Sequence, residues 1–389
     1  MLLVYYITLP SLFNIGWAAV QVSHMSLLPS ISINKKNKDS MVRLRTGFTF
    51  ISQFFSLVLS FIIFDLVEDK FEQYSYLSLV CVFTGIITTS IFLVKCRETE
   101  LSKNIDRYVD EMRASLNRLS NNNGDFQNIA TQGSNNNESS SSTKKLENIN
   151  WSYWLKRTDF YSYMVVYMCV RLSINVTSSM IPYFLDKVLG YNKGPHGETS
   201  IYISVILIIS MSGSVINSMI IQKYVLKSKN RLVMIMWSGL FVSIGCLPII
   251  FLNEENRWVI YILSFLFGIG FSLGLSTASN LINDVVGSKG KQGAFVYGSY
   301  SFSDKISCGI VLYFFTTSVK DDNFLLKLTT SILPPISMFL AFLMVLIRSK
   351  AQENEMKKES YQEEQKSDET KNLKKSIIDD SRFTFITLK

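Results

Sequence analysis

The side chains with the clearest chemical potential are three charged residues inside long apolar segments. Arg171 lies near the middle of MVVYMCVRLSINVTSSM, and Asp304 and Lys305 lie within GAFVYGSYSFSDKISCGI. A charge inside a membrane is costly, so such residues pair with one another or line a polar path. A guanidinium can also hold a carboxylate through two parallel hydrogen bonds. The pattern therefore predicts a polar site within a bundle of apolar helices.

Helical spacing predicts which of these residues share a helix face. Asn175 follows Arg171 by one turn, so both share a helix face, which we expect to line a water-filled cavity; a structural ion pair with an acid on another helix is the alternative. Asp304 and Lys305 are adjacent and point about 100° apart on a helix. One is expected to pair with Arg171 and the other to line the pathway. For Asp304, a proton-coupled carboxylate and a structural pair both stay open.

A second polar stripe lies in the first apolar segment. Asn14, Gln21 and His24 follow one another at spacings of seven and three residues, which places them on one helix face. They either form hydrogen bonds between helices or face a bound solute. Arg45, at the start of the second apolar segment, is expected to reach the cytoplasmic surface or cap a neighbouring helix.

The apolar segments predict the fold class. Crossing about 30 Å of hydrocarbon takes roughly 20 mostly apolar residues in a helix. Nine segments qualify, at 3–31, 46–66, 74–95, 159–186, 200–221, 232–252, 258–282, 293–317 and 326–347. The sequence therefore predicts an all-α, multi-pass membrane protein. In the seventh segment, Gly270, Gly274 and Ala278 have the small-xxx-small spacing that favours close helix packing, with a hinge or solute-lining face as the alternative.

Charge alternates between the connecting loops. The formal net charge is +8, but the basic residues gather in every second loop instead of forming one patch, which excludes a nucleic-acid-binding protein. Positive loops are retained on the cytoplasmic side. The C-terminus is therefore expected to be cytoplasmic, with Met1 on the opposite side.

Composition divides the chain into four parts. Residues 1–96 hold three predicted spans and residues 158–348 hold six. Between them, residues 97–157 form an Asn/Ser-rich loop predicted to be cytoplasmic and disordered, because a polar tract buries too little apolar surface to offset its ordering entropy. Residues 349–389 are predicted to be a disordered cytoplasmic tail in which Glu and Lys pairs give transient helix.

The sequence offers no sign of enzymatic or metal chemistry. Its two histidines are too few for a histidine-based metal site, and its five cysteines have no paired spacing. No nucleotide-binding or hydrolase motif stands in its required context. We expect no enzyme activity, no cofactor and no metal; the expected partners are a small solute, a coupling proton or cation, and the lipid bilayer.

Three segments resemble a known family. FNIGWAAVQVSHMSLLP (13–29), YMCVRLSINVTSSM (167–180) and above all GAFVYGSYSFSDKISCG (293–309) resemble the major facilitator superfamily, and within it the glycoside–pentoside–hexuronide cation symporter group. The resemblance implies twelve helices in two six-helix halves around a central cavity. It also implies a carrier for a small polar solute such as cysteine or a sugar, in a lysosomal, endosomal or plasma membrane.

This sequence departs from the pattern of the family it resembles in two ways. Aligned in this way, the first span corresponds to the family's fourth helix, so the family's first three helices are expected to be missing. In the sugar-carrying relatives an aspartate on that helix helps to bind the coupling cation, and Gln21 stands at its position here. The alternative to a carrier is a shortened relative that acts as a membrane partner or regulator, or an incomplete gene model of a transporter.

Overall fold

The computed structural model describes residues 2–31, 35–67, 69–95, 107, 151–191, 199–225, 230–286, 293–319 and 322–386. Within these residues the chain is helical and contains no strand. An all-helical structure satisfies every backbone polar group inside its own segment, which is what a hydrocarbon environment demands. The predicted all-α fold class is confirmed.

Ten α-helices form in the described residues. They are α1 (Leu2–Ile31), α2 (Lys35–Leu66), α3 (Lys70–Lys95), α4 (Trp151–Leu155), α5 (Thr158–Lys187), α6 (Thr199–Ile216), α7 (Arg231–Cys246), α8 (Val259–Val286), α9 (Gly293–Phe314) and α10 (Asn323–Ile386). Two of them end in wider π-helical turns: α6 continues through Asn217–Val225 and α9 through Phe315–Val319. Each predicted span coincides closely with one of the nine long helices of the described chain, but the span at 232–252 continues beyond α7 through a short 3-10 helix, Leu247–Phe251.

The predicted count of nine spans is not confirmed. Seven helices of the described chain are long and apolar enough to cross a membrane, and α1 and α9 are not among them. Helix α9 is rich in polar residues, since Asp304 and Lys305 stand in its middle among several serines and tyrosines. It packs against α5 and α1 and presents these polar groups to them.

Helix α8 forms the centre of the bundle. It packs against α6, α7 and α5, while α5 also packs against α9 and α10. The three-helix segment meets this bundle through α1, which packs on α9, and α2, which packs on α6 and α8. Most of the buried apolar side chains lie in the bundle formed by α5 to α10.

Small residues let the neighbours of α8 approach closely. A Cβ added to Gly270 would lie 2.8 Å from the backbone nitrogen of Val242 on α7, and one added to Gly274 would lie 2.6 Å from Ser238 Oγ. Ala278 is also buried. The small-xxx-small face is thus a helix-packing face of α8.

Two sequence predictions in this part of the fold differ from the structure. Helix α2 begins at Lys35, so the charged residues 35–45 extend the apolar span as helix. The tail predicted to be disordered is helical through Ile386, and Lys357 Nζ contacts Glu353 Oε1 one turn away at 2.7 Å. Pairs at this spacing stabilise exposed helix, which explains the extension.

The Asn/Ser-rich loop lies mostly outside the described residues. At its end, Trp151–Leu155 forms the short helix α4, which packs on α5 with the Trp154 side chain fully buried. Burying a large aromatic ring offsets the cost of ordering this short segment. The six-helix bundle therefore starts before residue 158, where the sequence placed its boundary.

The contact between α6 and α8 yields a stability prediction. A Cβ at Gly268 would lie 2.1 Å from the carbonyl oxygen of Ser210, so the Gly268→Ala substitution must push two backbones apart. We expect a loss of about 1–3 kcal/mol, the usual cost of overpacking, and a lower melting temperature of the purified protein in detergent. Gly298→Ala is the control, because no described atom lies within 4 Å of its added Cβ. Equal melting temperatures would contradict this packing.

Candidate functional site

The centre of the candidate site is an ion pair between α5 and α9. Arg171 Nε donates to Asp304 Oδ2 at 3.2 Å, and the side chains are 16% and 2% exposed. Arg171 comes thirteen residues into α5 and Asp304 eleven residues into α9, so the pair lies well inside both helices. Each charge compensates the other, which allows both residues to be buried.

Further donors complete the surroundings of Asp304. Asn175, one turn beyond Arg171, donates its amide to Asp304 Oδ1 at 3.2 Å and to Cys308 Sγ at 3.3 Å. The Cys308 thiol in turn donates to Asp304 Oδ1 at 3.3 Å. Both carboxylate oxygens of Asp304 therefore accept hydrogen bonds. Arg171 and Asn175, which the sequence placed on one helix face, thus meet Asp304, one of the two residues expected to pair with Arg171.

Lys305 has a different partner. Its Nζ lies 4.1 Å from the centroid of the Trp17 ring on α1, within the range of a cation–π interaction. The turn of about 100° between adjacent helical residues explains why Asp304 faces α5 while Lys305 faces α1. These two side chains thus connect α9 to both the bundle and the three-helix segment.

The predicted stripe on α1 does not form one site. His24 Nδ1 accepts a hydrogen bond from Arg45 Nε on α2 at 3.2 Å, and the His24 ring contacts Phe92 on α3. Gln21 is partly buried, but Asn14 is exposed and donates to Pro10 O of its own helix at 2.8 Å. His24 follows Asn14 by ten residues, which corresponds to a rise of about 15 Å along α1. Residues this far apart on one helix face have different neighbours.

Two members of this region were not among the candidate site residues of the sequence. Cys308 stands one turn after Asp304, on the helix face that the spacing predicts for both. Arg45 was expected to reach the surface or cap a helix, but it lies ten residues inside α2, partly buried against His24. The expectation was wrong because α2 begins eleven residues earlier than the predicted span.

A second polar cluster lies near the first turns of α5 and α7. Arg231 joins Asp284 of α8 at 3.0 Å and Asp39 of α2 at 2.6 Å. Asp159 at the start of α5 pairs with Arg157 at 3.2 Å and with Arg348 of α10. Arg157, Asp159, Arg231 and Asp284 border a polar cavity of about 370 Å³. Arg231 is therefore a direct electrostatic link between the bundle and the three-helix segment.

Metal chemistry has no structural support in the described part of the chain. No group of three or more His, Cys, Asp or Glu side chains lies close enough there to hold a metal ion.

The helices and the site define a class of protein. Long apolar helices, packed around buried ion pairs that join different helices, make this chain a multi-pass integral membrane protein. Residues 126–312 match the family model described as Major Facilitator Superfamily. This part of the chain is thus similar to the family that the sequence segments resemble.

Curated relatives point to the same family. The chain is 23% identical to major facilitator superfamily domain-containing protein 12 from Homo sapiens over 331 residues, and 23% identical to those from Equus caballus and Mus musculus over 329 and 330 residues. Each match covers 80% of this chain and 61% of the relative. The chain thus spans less than two thirds of the length of these relatives.

The central ion pair predicts non-additive stability. Removing one partner of a buried pair strands the other charge and typically costs about 3–5 kcal/mol. We expect Arg171→Leu and Asp304→Leu each to lower the melting temperature of the purified protein, and the double variant to be more stable than either. Lys357→Leu, which breaks an exposed pair, serves as the control with little expected change. Additive losses in the double variant would show that the two side chains do not interact.

Proposed function

We propose that this chain acts as a secondary carrier, moving a small polar solute across a membrane by alternating access. Cysteine and sugars are the candidate solutes, with a proton or cation as the coupling ion. The observation that carries the proposal is the buried cluster of Arg171, Asp304 and Asn175 deep inside α5 and α9. A buried charged cluster in a membrane protein is costly and marks a solute or ion pathway by default.

The arrangement of the two parts supports alternating access. Residues 1–96 and 158–348 are proposed as a partial first half and a complete second half of a carrier. Arg231 connects them at one end through Asp39, at 2.6 Å. Arg231 also keeps a partner within the bundle, Asp284, so the link to Asp39 can break without stranding the guanidinium. A partly exposed ion pair of this kind is weak enough to open and close.

We infer the orientation of the protein in the membrane from its basic residues. The cluster that contains Arg157, Arg231 and Arg348 lies at the helix ends that the charge pattern assigns to the cytoplasm. We propose that this end faces the cytoplasm, that the C-terminal tail does too, and that the protein is closed there in the described state. A lysosomal, endosomal or plasma membrane is proposed as its location.

The carrier proposal predicts a loss of uptake in Arg171→Lys. The substitution keeps the charge but removes the planar guanidinium, so the Asp304 geometry and any bidentate contact to a solute are lost. A hydrogen bond to a charged group contributes about 1.5–3 kcal/mol, which corresponds to a roughly 10- to 100-fold lower rate. Uptake of labelled cysteine, cystine and sugars into vesicles that carry equal amounts of protein measures the change.

Two further variants complete this experiment. Arg257→Lys is the matched control, since Arg257 is exposed outside the membrane-spanning helices and should tolerate the change. Asn175→Ala tests the same cluster without altering a charge, and we expect it to lower uptake as well. Unchanged uptake in both site variants would remove the cluster from the pathway. No uptake by the unsubstituted protein would instead favour the non-transporting alternative.

The orientation proposal is tested with an epitope tag after Lys389. We expect a protease added to the cytosolic side of permeabilised cells to remove the tag, because the positive loops place the C-terminus there. A luminal marker protein that stays intact shows that internal membranes are sealed. A protected tag would reverse the proposed orientation.

A further inference from the structure

Helix α6 ends in nine residues of π-helix, Asn217–Val225, which pack against both α2 and α8. In a π-helix each backbone N–H group bonds to the carbonyl five residues back instead of four. This geometry is rare, occurs mostly as single turns inside α-helices, and is frequent at functional sites. The segment lies just before Arg231, which begins the next helix and binds Asp39 of α2.

Two buried amide side chains use the wide turn to bond to α8. Asn217 Nδ2 donates to Ser272 Oγ at 2.6 Å, and Gln222 Nε2 donates to Ser276 Oγ at 2.6 Å. The amides are five residues apart in the sequence, whereas the serines are four apart. On an α-helix, residues five apart point about 140° away from one another, so only one amide would reach α8. The π-helix is therefore the conformation in which both bonds form.

The second π-helical segment, Phe315–Val319 at the end of α9, lacks this feature. Its Thr316 and Thr317 hydroxyls donate to carbonyl oxygens of their own helix. Within the described part of the chain, no side chain of this segment forms a hydrogen bond to another helix. The bonds to α8 are thus specific to the first segment and are not a general property of π-helix.

The first segment also forms part of the contact between the bundle and the three-helix segment. A Cβ added to Gly47 of α2 would lie 3.2 Å from Ser218 Cβ and 2.7 Å from Met219 Cε, so α2 lies directly against the π-helix. Three buried oxygens in or beside this contact have no hydrogen-bond partner among the described residues, namely Asn217 Oδ1, Ser218 Oγ and Thr46 Oγ1. Unpaired buried polar atoms are unfavourable. The described conformation thus carries a cost at this segment.

We propose that residues 217–225 are a conformational switch, π-helical in the described state and α-helical once α2 separates from the bundle. The inference rests on the proposed alternating access and names an element that changes during it. In the α-helical form Ile221, four residues after Asn217, takes the position towards Ser276, and Gln222 turns away by about 100°. Separation of α2 allows the change, because α2 packs directly on the segment.

Deletion of Ile220 tests the switch, because it removes the extra residue that the wide turn accommodates. Gln222 then follows Asn217 by four positions, so an ordinary α-helix keeps both amides on α8 and the change of helix type is no longer needed. Ile220 is 52% exposed, so its removal leaves no cavity in the bundle. The measurement is hydrogen exchange, read by mass spectrometry, of the purified full-length chain in lipid nanodiscs.

A change of helix type opens backbone hydrogen bonds, and opened amides exchange with solvent. We expect the amides of residues 217–225 to exchange roughly tenfold more slowly in the deletion variant than in the unsubstituted protein. The same variant should also take up solute at least roughly tenfold more slowly, because the segment no longer changes its conformation. Labelled cysteine, cystine and sugars are the solutes used.

Gln222→Ala tests the switch in the opposite direction. It removes a side-chain bond that only the π-helical form makes, so we expect exchange of residues 217–225 to become roughly twofold to tenfold faster, as the loss of a neutral hydrogen bond implies. Ile220→Ala is the matched control, since Ile220 is an exposed residue of the same segment and little change is expected. A size-exclusion profile with one sharp peak verifies that each variant is folded.

The outcomes separate this inference from the carrier proposal. Equal exchange in all these proteins, or unchanged uptake by a folded deletion variant, overturns the switch and leaves the carrier proposal in place. If the deletion variant does not fold, equal exchange in Gln222→Ala and Ile220→Ala overturns the switch. Expected exchange differences in a protein that carries none of the solutes would support the change of helix type and count against the carrier proposal.

Discussion

The structure depends on the need to compensate charge where water is scarce. An isolated guanidinium or carboxylate deep among apolar helices would be unstable, so Arg171 and Asp304 require each other. Their contact fixes how α5 and α9 face one another, and it places Asn175 and Cys308 around the same carboxylate. Lys305, turned away by about 100°, then meets Trp17 on α1. The ion pair and the neighbouring Lys305 thereby orient α5, α9 and α1 relative to one another.

The same constraint explains the packing around α8. Its small residues let backbones approach, and polar side chains use the short distance to bond across helices. Ser238 Oγ donates to Gly270 O at 2.7 Å, and Ser214 Oγ donates to Gly268 O at 2.8 Å. Asn217 Nδ2 reaches Ser272 Oγ at 2.6 Å. Such contacts satisfy polar groups inside the bundle, where the hydrophobic effect between helices contributes little.

Charge compensation differs among the partly buried arginines. Arg231 contacts two aspartates and Arg171 contacts one, so both arginines have structural partners in the absence of any solute. Among the described residues, Arg45 donates a hydrogen bond to His24 Nδ1 and forms no ion pair.

The sequence by itself determined the helical class, the position of nearly every long helix, and the shared face of Arg171 and Asn175. These follow from local periodicity and from the length of chain that hydrocarbon requires. Only the tertiary structure decided that Asp304 pairs with Arg171 and Lys305 with Trp17, that Asn14 bonds to its own helix, and that Arg45 meets His24. The physical reason is that apolar helix faces are nearly equivalent to one another and to lipid, so the pattern within one helix does not specify its neighbours. Residues far apart in the chain acquired partners only when the bundle was assembled.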